Sequence, residues 1–183
     1  MTIIPLADLP EASRRVCAQL LVDGFRDHWP NAWPTLEEAI DEVHSFLHVA
    51  ERTAFVVVEG EDVLGWIGGI STYDGNVWEL HPMVVRQESR GRGIGRLLVE
   101  VLEKRARDAG AFTLWLGTDD EDDMTSLANA DLYTDTFQKL NSIENLRGHP
   151  YTFYQKMGFK IMGVCPDANG PGKPDIFMAK RLR

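Results

Sequence analysis

The segment R-G-R-G-I-G-R at positions 90–96 combines alternating glycines with three arginines. Glycine has no Cβ and leaves backbone N–H groups accessible, while arginine adds charged donors, so the segment is suited to binding a phosphate. An apolar run before it, Val77–Val85, predicts a strand, and an amphipathic run after it, 94–109, predicts a helix. The positive end of the helix dipole would lie at the same place. The sequence therefore predicts an anion-binding loop between a strand and a helix.

The glycine spacing excludes two common nucleotide-binding loops. Glycines at 91, 93 and 95 give neither G-x-G-x-x-G nor G-x-x-x-x-G-K-[ST]. The spacing R-x-x-G-x-G resembles the pyrophosphate signature of the GNAT N-acetyltransferases. That resemblance implies acetyl-CoA as co-substrate, no metal, and a preceding strand that hydrogen-bonds the pantetheine arm. The implied cofactor contacts are Met83, Val84, Val85, Arg90, Gly91, Arg92, Gly93, Ile94, Gly95, Arg96 and Tyr154.

Two residues of the strand before the loop are candidate general bases. Acetyl transfer to an amine needs a proton acceptor, because only the neutral amine attacks. Alternation along the strand predicts one face made of Val77, Glu79, His81 and Met83. Pro82 predicts a bulge or a splayed edge, which would free backbone groups for an acyl-amide chain. Either Glu79 or His81 could take the proton; the alternatives are that Glu79 binds only by charge and that His81 only packs.

The run H-P-Y-T-F-Y-Q-K-M-G-F at 149–159 predicts a short helix, with Pro150 in its first turn and Gly158 just after its end. F-Y-x-K-x-G-F is similar to the late helix of GNAT enzymes, whose tyrosine sits by the cofactor sulfur. This implies that Tyr154 is the general acid, since a phenol with a pKa near 10 suits the protonation of a departing thiolate. The alternative is an ordinary packed tyrosine.

Several residues could bind a cationic substrate. Five consecutive acidic residues, 119–123, follow a predicted strand, 112–116, and Asp119 with Asp120 behind it are the candidates, although such runs are usually solvated loops. Asp175, at the start of the last predicted strand, could add another anionic contact. Trp33 lies in a proline-bounded loop and is either a core residue or an aromatic wall of the substrate site.

Longer blocks resemble the aminoglycoside 6′-N-acetyltransferases. They are W-P at 33–34, G-W-I-G at 65–68, W-E-L-H-P-M-V-V at 78–85, G-T-D-D-E at 117–121, the 149–159 run, P-D-A-N-G at 166–170 and K-P-D-I at 173–176. The resemblance implies direct acetyl transfer in a ternary complex to the 6′-amine of these antibiotics, antibiotic resistance, and a dimer. It also implies a pocket that contains Trp33, Tyr73, Glu79, Asp119 and Asp175. Two alternatives stay open: another amine as acceptor (a polyamine or a protein lysine), and a non-catalytic acetyl-CoA sensor.

The elements that must position these residues can be read from the periodicity. Helices are expected at Glu11–Phe25, at 35–48 with Thr35 as N-cap and at 133–140, and strands at 54–58, 63–70, 112–116, 160–164 and 176–180 in addition to Val77–Val85. The resemblance implies an α+β GNAT fold. Its central sheet would be mixed, mostly antiparallel, of about six or seven strands, flanked by helices and splayed at the acetyl-CoA site.

Composition narrows the class of protein. With 183 residues and 44% hydrophobic content, we expect one domain, 1–183. A net charge of −9 argues against a nucleic-acid partner and favours a cationic small molecule. The absence of a long apolar run or a signal pattern leads us to expect a cytoplasmic protein without a membrane partner. Cys17 and Cys165 are expected to be reduced, and neither has a base nearby in sequence, so no cysteine nucleophile is expected.

Overall fold

The computed structural model describes residues 1–183 and contains seven strands and five α-helices. They are β1 Thr2–Pro5, α1 Glu11–Phe25, α2 Leu36–His48, β2 Arg52–Glu59, β3 Asp62–Thr72, β4 Val77–Val85, α3 Ile94–Asp108, β5 Thr113–Asp119, α4 Thr136–Asn141, α5 Tyr151–Lys156, β6 Lys160–Cys165 and β7 Asp175–Arg181. The expected α+β class with six or seven strands is confirmed. The chain divides into two compact units, Met1–Leu114 with Leu182–Arg183, and Trp115–Arg181. The expectation of a single domain stays a prediction.

The first unit is an antiparallel sheet, in the order β1-β2-β3-β4, covered by helices. α1 and α2 pack on each other and on the sheet, and α3 packs on β2, β3 and β4. The core under α1 and α2 is centred on Trp66, which is fully buried and donates its indole N–H to the carbonyl of Cys17 at 3.0 Å. This bond satisfies the one polar group that Trp66 carries into the core.

A bulge interrupts β4 at Pro82, as predicted from the sequence. Leu80 pairs with Gly69 and Met83 pairs with Ile67, so the two residues His81 and Pro82 stand opposite Gly68 alone. Paired residues share a face, and Gly69 and Ile67 lie two apart, so Met83 lies on the face of Leu80. The expectation that Met83 shares a face with Glu79 and His81 is therefore wrong. The extra residue of the bulge reverses the alternation beyond it.

The face that carries Glu79 and His81 is the one covered by α1 and α2. Glu79 pairs with Ile70, and Ile70 packs against the core cluster that contains Trp66. Helix α2 also begins where the sequence predicts. Thr35 is its N-cap, and the Thr35 hydroxyl accepts the N–H of Glu38 at 3.3 Å.

The second unit contains three strands in the order β5-β7-β6, with β6 and β7 antiparallel. Its helix α4 begins at Thr136, three residues later than the expected helix at 133–140. Asp135 adopts a left-handed conformation with φ of 50°, which is incompatible with continuing the helix towards Tyr133. No helix of the chain is long and apolar enough to cross a membrane.

Strand β1 was not expected from the sequence. It is four residues long and pairs only with β2 at the edge of the sheet. Its two isoleucines, Ile3 and Ile4, are both half-buried, so the segment shows no clear alternation of apolar and polar residues. A strand this short can be recognised only from its pairing with a neighbouring strand, here β2.

Candidate active site

The glycine loop has the conformation expected of an anion-binding turn. Gly91 and Gly93 have φ of +80° and +83°, values that L-residues rarely adopt, and no atom lies within 4 Å of the place where either Cβ would stand. Gly93 is the N-cap of α3 and provides no side-chain cap, so the first N–H groups of the helix have no side-chain acceptor. The loop therefore offers open space next to unsatisfied donors, which fits a phosphate group.

All three arginines of the loop contact nearby groups. Arg92 donates to both carboxylate oxygens of Glu59, at 3.0 and 2.9 Å, and this contact lowers the pKa of Glu59. Arg96 donates to Glu100 at 2.7 Å on the same helix face, and the Arg90 Nε donates to the carbonyl of Val85 at 3.4 Å. All three side chains are at the surface, where a phosphate can replace or share such partners.

The other cofactor candidates of the first unit differ in which of their groups are accessible. The side chains of Val84 and Ile94 are buried in the core, so only their backbone groups are available to a ligand. Met83, Val85 and Gly95 are partly exposed. A cavity of about 280 Å³ opens between the end of α1 and the segment 85–88, which includes the last residue of β4.

The structure brings Trp33 and His81 together on the α1–α2 side of the sheet, and Glu79 lies on the same face of β4. The rings of Trp33 and His81 are 5.9 Å apart between centroids, and the Trp33 ring packs edge-on against Phe25 at 4.6 Å. Trp33 therefore packs against the core cluster and is also partly exposed, next to the candidate base His81. His81 also lies 3.8 Å, between Nε2 and Oε1, from Glu42 of α2.

Tyr73 lies apart from this group in a turn between β3 and β4. It has a positive φ of 50°, and 76% of its surface is exposed. The ring is therefore available to a ligand but is not held by neighbouring side chains.

In the second unit, Asp119 is positioned by two side chains. Asn169 donates its amide N–H to the carboxylate of Asp119, and the His149 Nε2 lies 3.0 Å from the Asp119 carbonyl. The His149 Nδ1 accepts the N–H of Tyr151, so the proton of the neutral imidazole is on Nε2 and is donated to Asp119. This buried histidine fixes the end of β5.

The carboxylate of Asp175 lies so close to β5 that only glycine fits at position 117. A Cβ on Gly117 would stand 2.5 Å from one carboxylate oxygen of Asp175 and 2.8 Å from the other. Gly117 and Asp119 are two apart on the strand and share a face, so this face carries two carboxylates. Glu121 is close enough to Asp119 to add a third: desolvation, and then the charge of Asp119, raise the pKa of Glu121.

Asp120 has a different environment from its neighbour. Its side chain is fully buried, and its two carboxylate oxygens accept the N–H groups of Met124 and Thr125, each at 2.8 Å. Both oxygens are occupied by the chain's own backbone, which indicates a structural role in the turn after β5 and disfavours the substrate contact expected from the sequence.

Replacing Asp120 with alanine is expected to lower the free energy of unfolding by about 3 kcal/mol, because two buried N–H groups lose their acceptor. The matched control is Asp41→Ala, which removes an exposed carboxylate and should change stability by less than about 0.5 kcal/mol. Urea unfolding measures both variants. If Asp120→Ala unfolds at the wild-type urea concentration, the carboxylate does not hold the turn.

Tyr154 is on α5 and is 8% exposed, with its ring against Phe153 and Phe159 at centroid distances of 5.2 and 5.8 Å. Burial raises the pKa of its hydroxyl well above the ordinary value. The phenol is therefore protonated at any physiological pH, as a proton donor must be.

Three residues with clear contacts at these sites were not identified from the sequence: Glu42, Asn169 and Glu121. Asn169 lies in one of the blocks that carry the resemblance, and that block is the signal that could have indicated it. Glu42 is one of several acidic residues on an amphipathic helix, and nothing in the sequence separates it from them.

Comparison with known proteins finds one family model and several similar solved structures. Residues 17–131 match the model of the acetyltransferase (GNAT) family. The crystal structure of an aminoglycoside 6′-N-acetyltransferase complexed with coenzyme A is 41% identical, with a TM-score of 0.92 over 100% of this chain and 98% of that chain. An aminoglycoside 6′-N-acetyltransferase from Enterococcus faecium is 40% identical, with a TM-score of 0.87 over the same shares. An aminoglycoside 6′-acetyltransferase type Ii is 34% identical, with a TM-score of 0.69 over 100% and 98%. No curated protein matches the chain.

Proposed function

Because the chain belongs to the GNAT family of acetyltransferases, we propose that it transfers acetyl from acetyl-CoA to the 6′-amine of aminoglycoside antibiotics. The observation that carries the proposal is similarity over the whole chain, at 41% identity, to an aminoglycoside 6′-N-acetyltransferase complexed with coenzyme A. Because this similarity covers the full length of the chain, it includes the candidate acceptor-binding residues as well as the glycine loop. No observation favours a polyamine, a protein lysine or a sensor.

The glycine loop supports the donor half of this proposal. Backbone N–H groups of Gly91, Gly93 and the start of α3 would bind the pyrophosphate, with Arg90, Arg92 and Arg96 as charged donors. Open space above both glycines leaves room for it. The backbone of Met83–Val85, just beyond the bulge, would hold the pantetheine arm and polarise the thioester carbonyl.

Acidic and aromatic groups support the acceptor half. Aminoglycosides carry several ammonium groups, and Glu79, Asp119 and Asp175 are carboxylates placed on partly exposed faces. Trp33 would provide an apolar wall for a sugar ring, and Tyr73 an exposed aromatic contact. We assign Asp120 to holding the turn and not to substrate contact, since its oxygens are occupied.

The proposed chemistry is direct attack. The amine nitrogen forms a bond to the thioester carbon while Glu79 or His81, directly or through water, takes a proton from it. The carbon–sulfur bond then breaks, and Tyr154 gives its proton to the departing thiolate. An acceptor that arrives as an ammonium group first loses one proton to water, and the base takes the second during attack. The base then releases its proton to water and Tyr154 regains one from water, so both groups return to their starting states. Burial raises the pKa of Cys17 to about 12 and disfavours a thiolate, so we assign Cys17 no nucleophilic role.

We further propose that the protein acts in the cytoplasm, where acetyl-CoA is available, that it confers aminoglycoside resistance, and that it is a homodimer. Light scattering after size-exclusion chromatography measures the oligomeric state. Growth on kanamycin with and without the gene measures resistance.

The test of the activity uses acceptors that differ at one atom. Neomycin carries a 6′-amine and paromomycin a 6′-hydroxyl, so release of free thiol from acetyl-CoA should be saturable with neomycin and absent or much slower with paromomycin. Kanamycin and tobramycin, which also carry the amine, should be acetylated at that position. Turnover only with spermidine or a lysine peptide would contradict the antibiotic assignment, and coenzyme A binding without any turnover would favour the sensor.

A further inference from the structure

We propose that Glu42 is a positioning residue for His81, which makes His81 the proton acceptor of the pair Glu79 and His81. This inference rests on the proposed function, because it assigns a role within the same transfer. It starts from the contact between the Glu42 Oε1 and the His81 Nε2 at 3.8 Å. The two residues lie on different elements, α2 and β4, so the contact depends on the fold.

Glu42 is itself held in place by an anchored partner. Its Oε1 accepts from Arg52 Nη1 at 3.2 Å, and the same nitrogen donates to the Ser45 hydroxyl at 2.7 Å. The Ser45 hydroxyl donates in turn to the backbone carbonyl of Glu42 at 2.6 Å. The Arg52 guanidinium lies 5.0 Å above the centre of the Phe46 ring. One carboxylate oxygen is therefore fixed between a guanidinium and an imidazole.

The His81 ring has one aromatic neighbour and is otherwise partly open, with 44% of the side chain exposed. Trp33 lies on one side of it, at 5.9 Å between centroids. The charged groups around the imidazole are Glu42, Arg52 beyond it, and Glu79 on the same face of β4. No comparable partner is found for Glu79, whose side chain makes no ion pair or hydrogen bond.

This arrangement selects one tautomer of His81. A carboxylate beside Nε2 favours a proton on that nitrogen and leaves Nδ1 as the acceptor. When Nδ1 takes a proton from the attacking amine, the new imidazolium still directs Nε2–H at Glu42, which stabilises its charge. The amine loses one proton to the imidazole as the C–N bond forms, and the C–S bond then breaks while Tyr154 protonates the thiolate.

A double-mutant cycle tests the assignment. Glu42→Gln keeps the shape of the side chain and is expected to lower kcat with neomycin about tenfold, with KM changed less than twofold. In a His81→Ala background the same substitution should change kcat less than twofold. Asp41→Asn, an exposed neighbour on α2, is the matched control and should match the wild type. An equal loss in both backgrounds, or a rise in KM alone, would overturn the proposal.

A second measurement does not require any turnover. Nitrogen-15 NMR of the histidine ring distinguishes the two neutral tautomers, and His81 is expected to carry its proton on Nε2 in the wild type and in Asp41→Asn. Glu42→Gln should shift the population towards the Nδ1–H form. An unchanged tautomer in Glu42→Gln contradicts the role of Glu42, whereas failure of the wild type to acetylate neomycin contradicts the proposed function alone.

Discussion

Replacing Gly93 with valine is expected to raise the dissociation constant of coenzyme A by about 100-fold, equivalent to about 2.7 kcal/mol of binding free energy. Gly93 has φ of +83°, where a β-branched residue is strongly disfavoured, so the loop must change conformation or bear strain. A side chain would also extend into the open space above the loop, where the pyrophosphate is proposed to bind. Isothermal titration calorimetry measures the effect directly.

The matched control lies at the other end of the same helix. Gly110 follows α3 and has φ of +95°, and its nearest contact is the end of the flexible Arg183 side chain. Gly110→Val should cost comparable stability through its backbone strain but leave the affinity for coenzyme A within about twofold. Equal losses of affinity in both variants would mean that the loop acts only through stability and does not hold the cofactor.

Replacing Tyr154 with phenylalanine is expected to lower kcat about 100-fold and to leave the affinity for coenzyme A nearly unchanged, because only the proposed proton donor is removed. The ring contacts with Phe153 and Phe159 persist in the variant. Burial raises the pKa of Tyr154, and the same dry surroundings would raise the pKa of a departing thiolate beside it, which keeps donor and acceptor matched. Steady-state kinetics with neomycin measure the change.

Tyr151 provides the control and the pH dependence provides a second readout. Tyr151 is buried three residues earlier on α5, and burial also raises the pKa of its hydroxyl, yet it has no proposed role, so Tyr151→Phe should keep kcat within about threefold. A raised pKa means that Tyr154 keeps its proton above the usual value near 10. The wild-type activity should therefore show no loss below about pH 10 that is absent from Tyr154→Phe. A kcat unaffected by Tyr154→Phe would remove the residue from the mechanism.

The features that the sequence predicted well are local ones. The glycine loop depends on residues that adjoin each other, and its strand and helix are continuous apolar and amphipathic runs. Thr35 likewise caps a helix with a group three residues away. Such features require no knowledge of the tertiary partners.

The features that the sequence could not predict depend on pairing across the fold. Alternation placed Met83 with His81, but the bulge at Pro82 is one residue longer than the facing segment of β3 and reverses the faces. Asp120 and Asp119 are adjacent and chemically identical, yet only the fold buries one of them under two backbone N–H groups. The proposed role of Glu42 depends on its contact with His81, which lies on a strand far along the chain.

The contact between Gly117 and Asp175 links the two positions in evolution. A side chain at 117 and a carboxylate at 175 would occupy the same volume, so neither position can vary freely while the other is kept. Among homologues, sequences with a larger residue at 117 should therefore carry a shorter or uncharged residue at 175. Once the aspartate is replaced by a shorter residue, position 117 no longer requires glycine and is free to change.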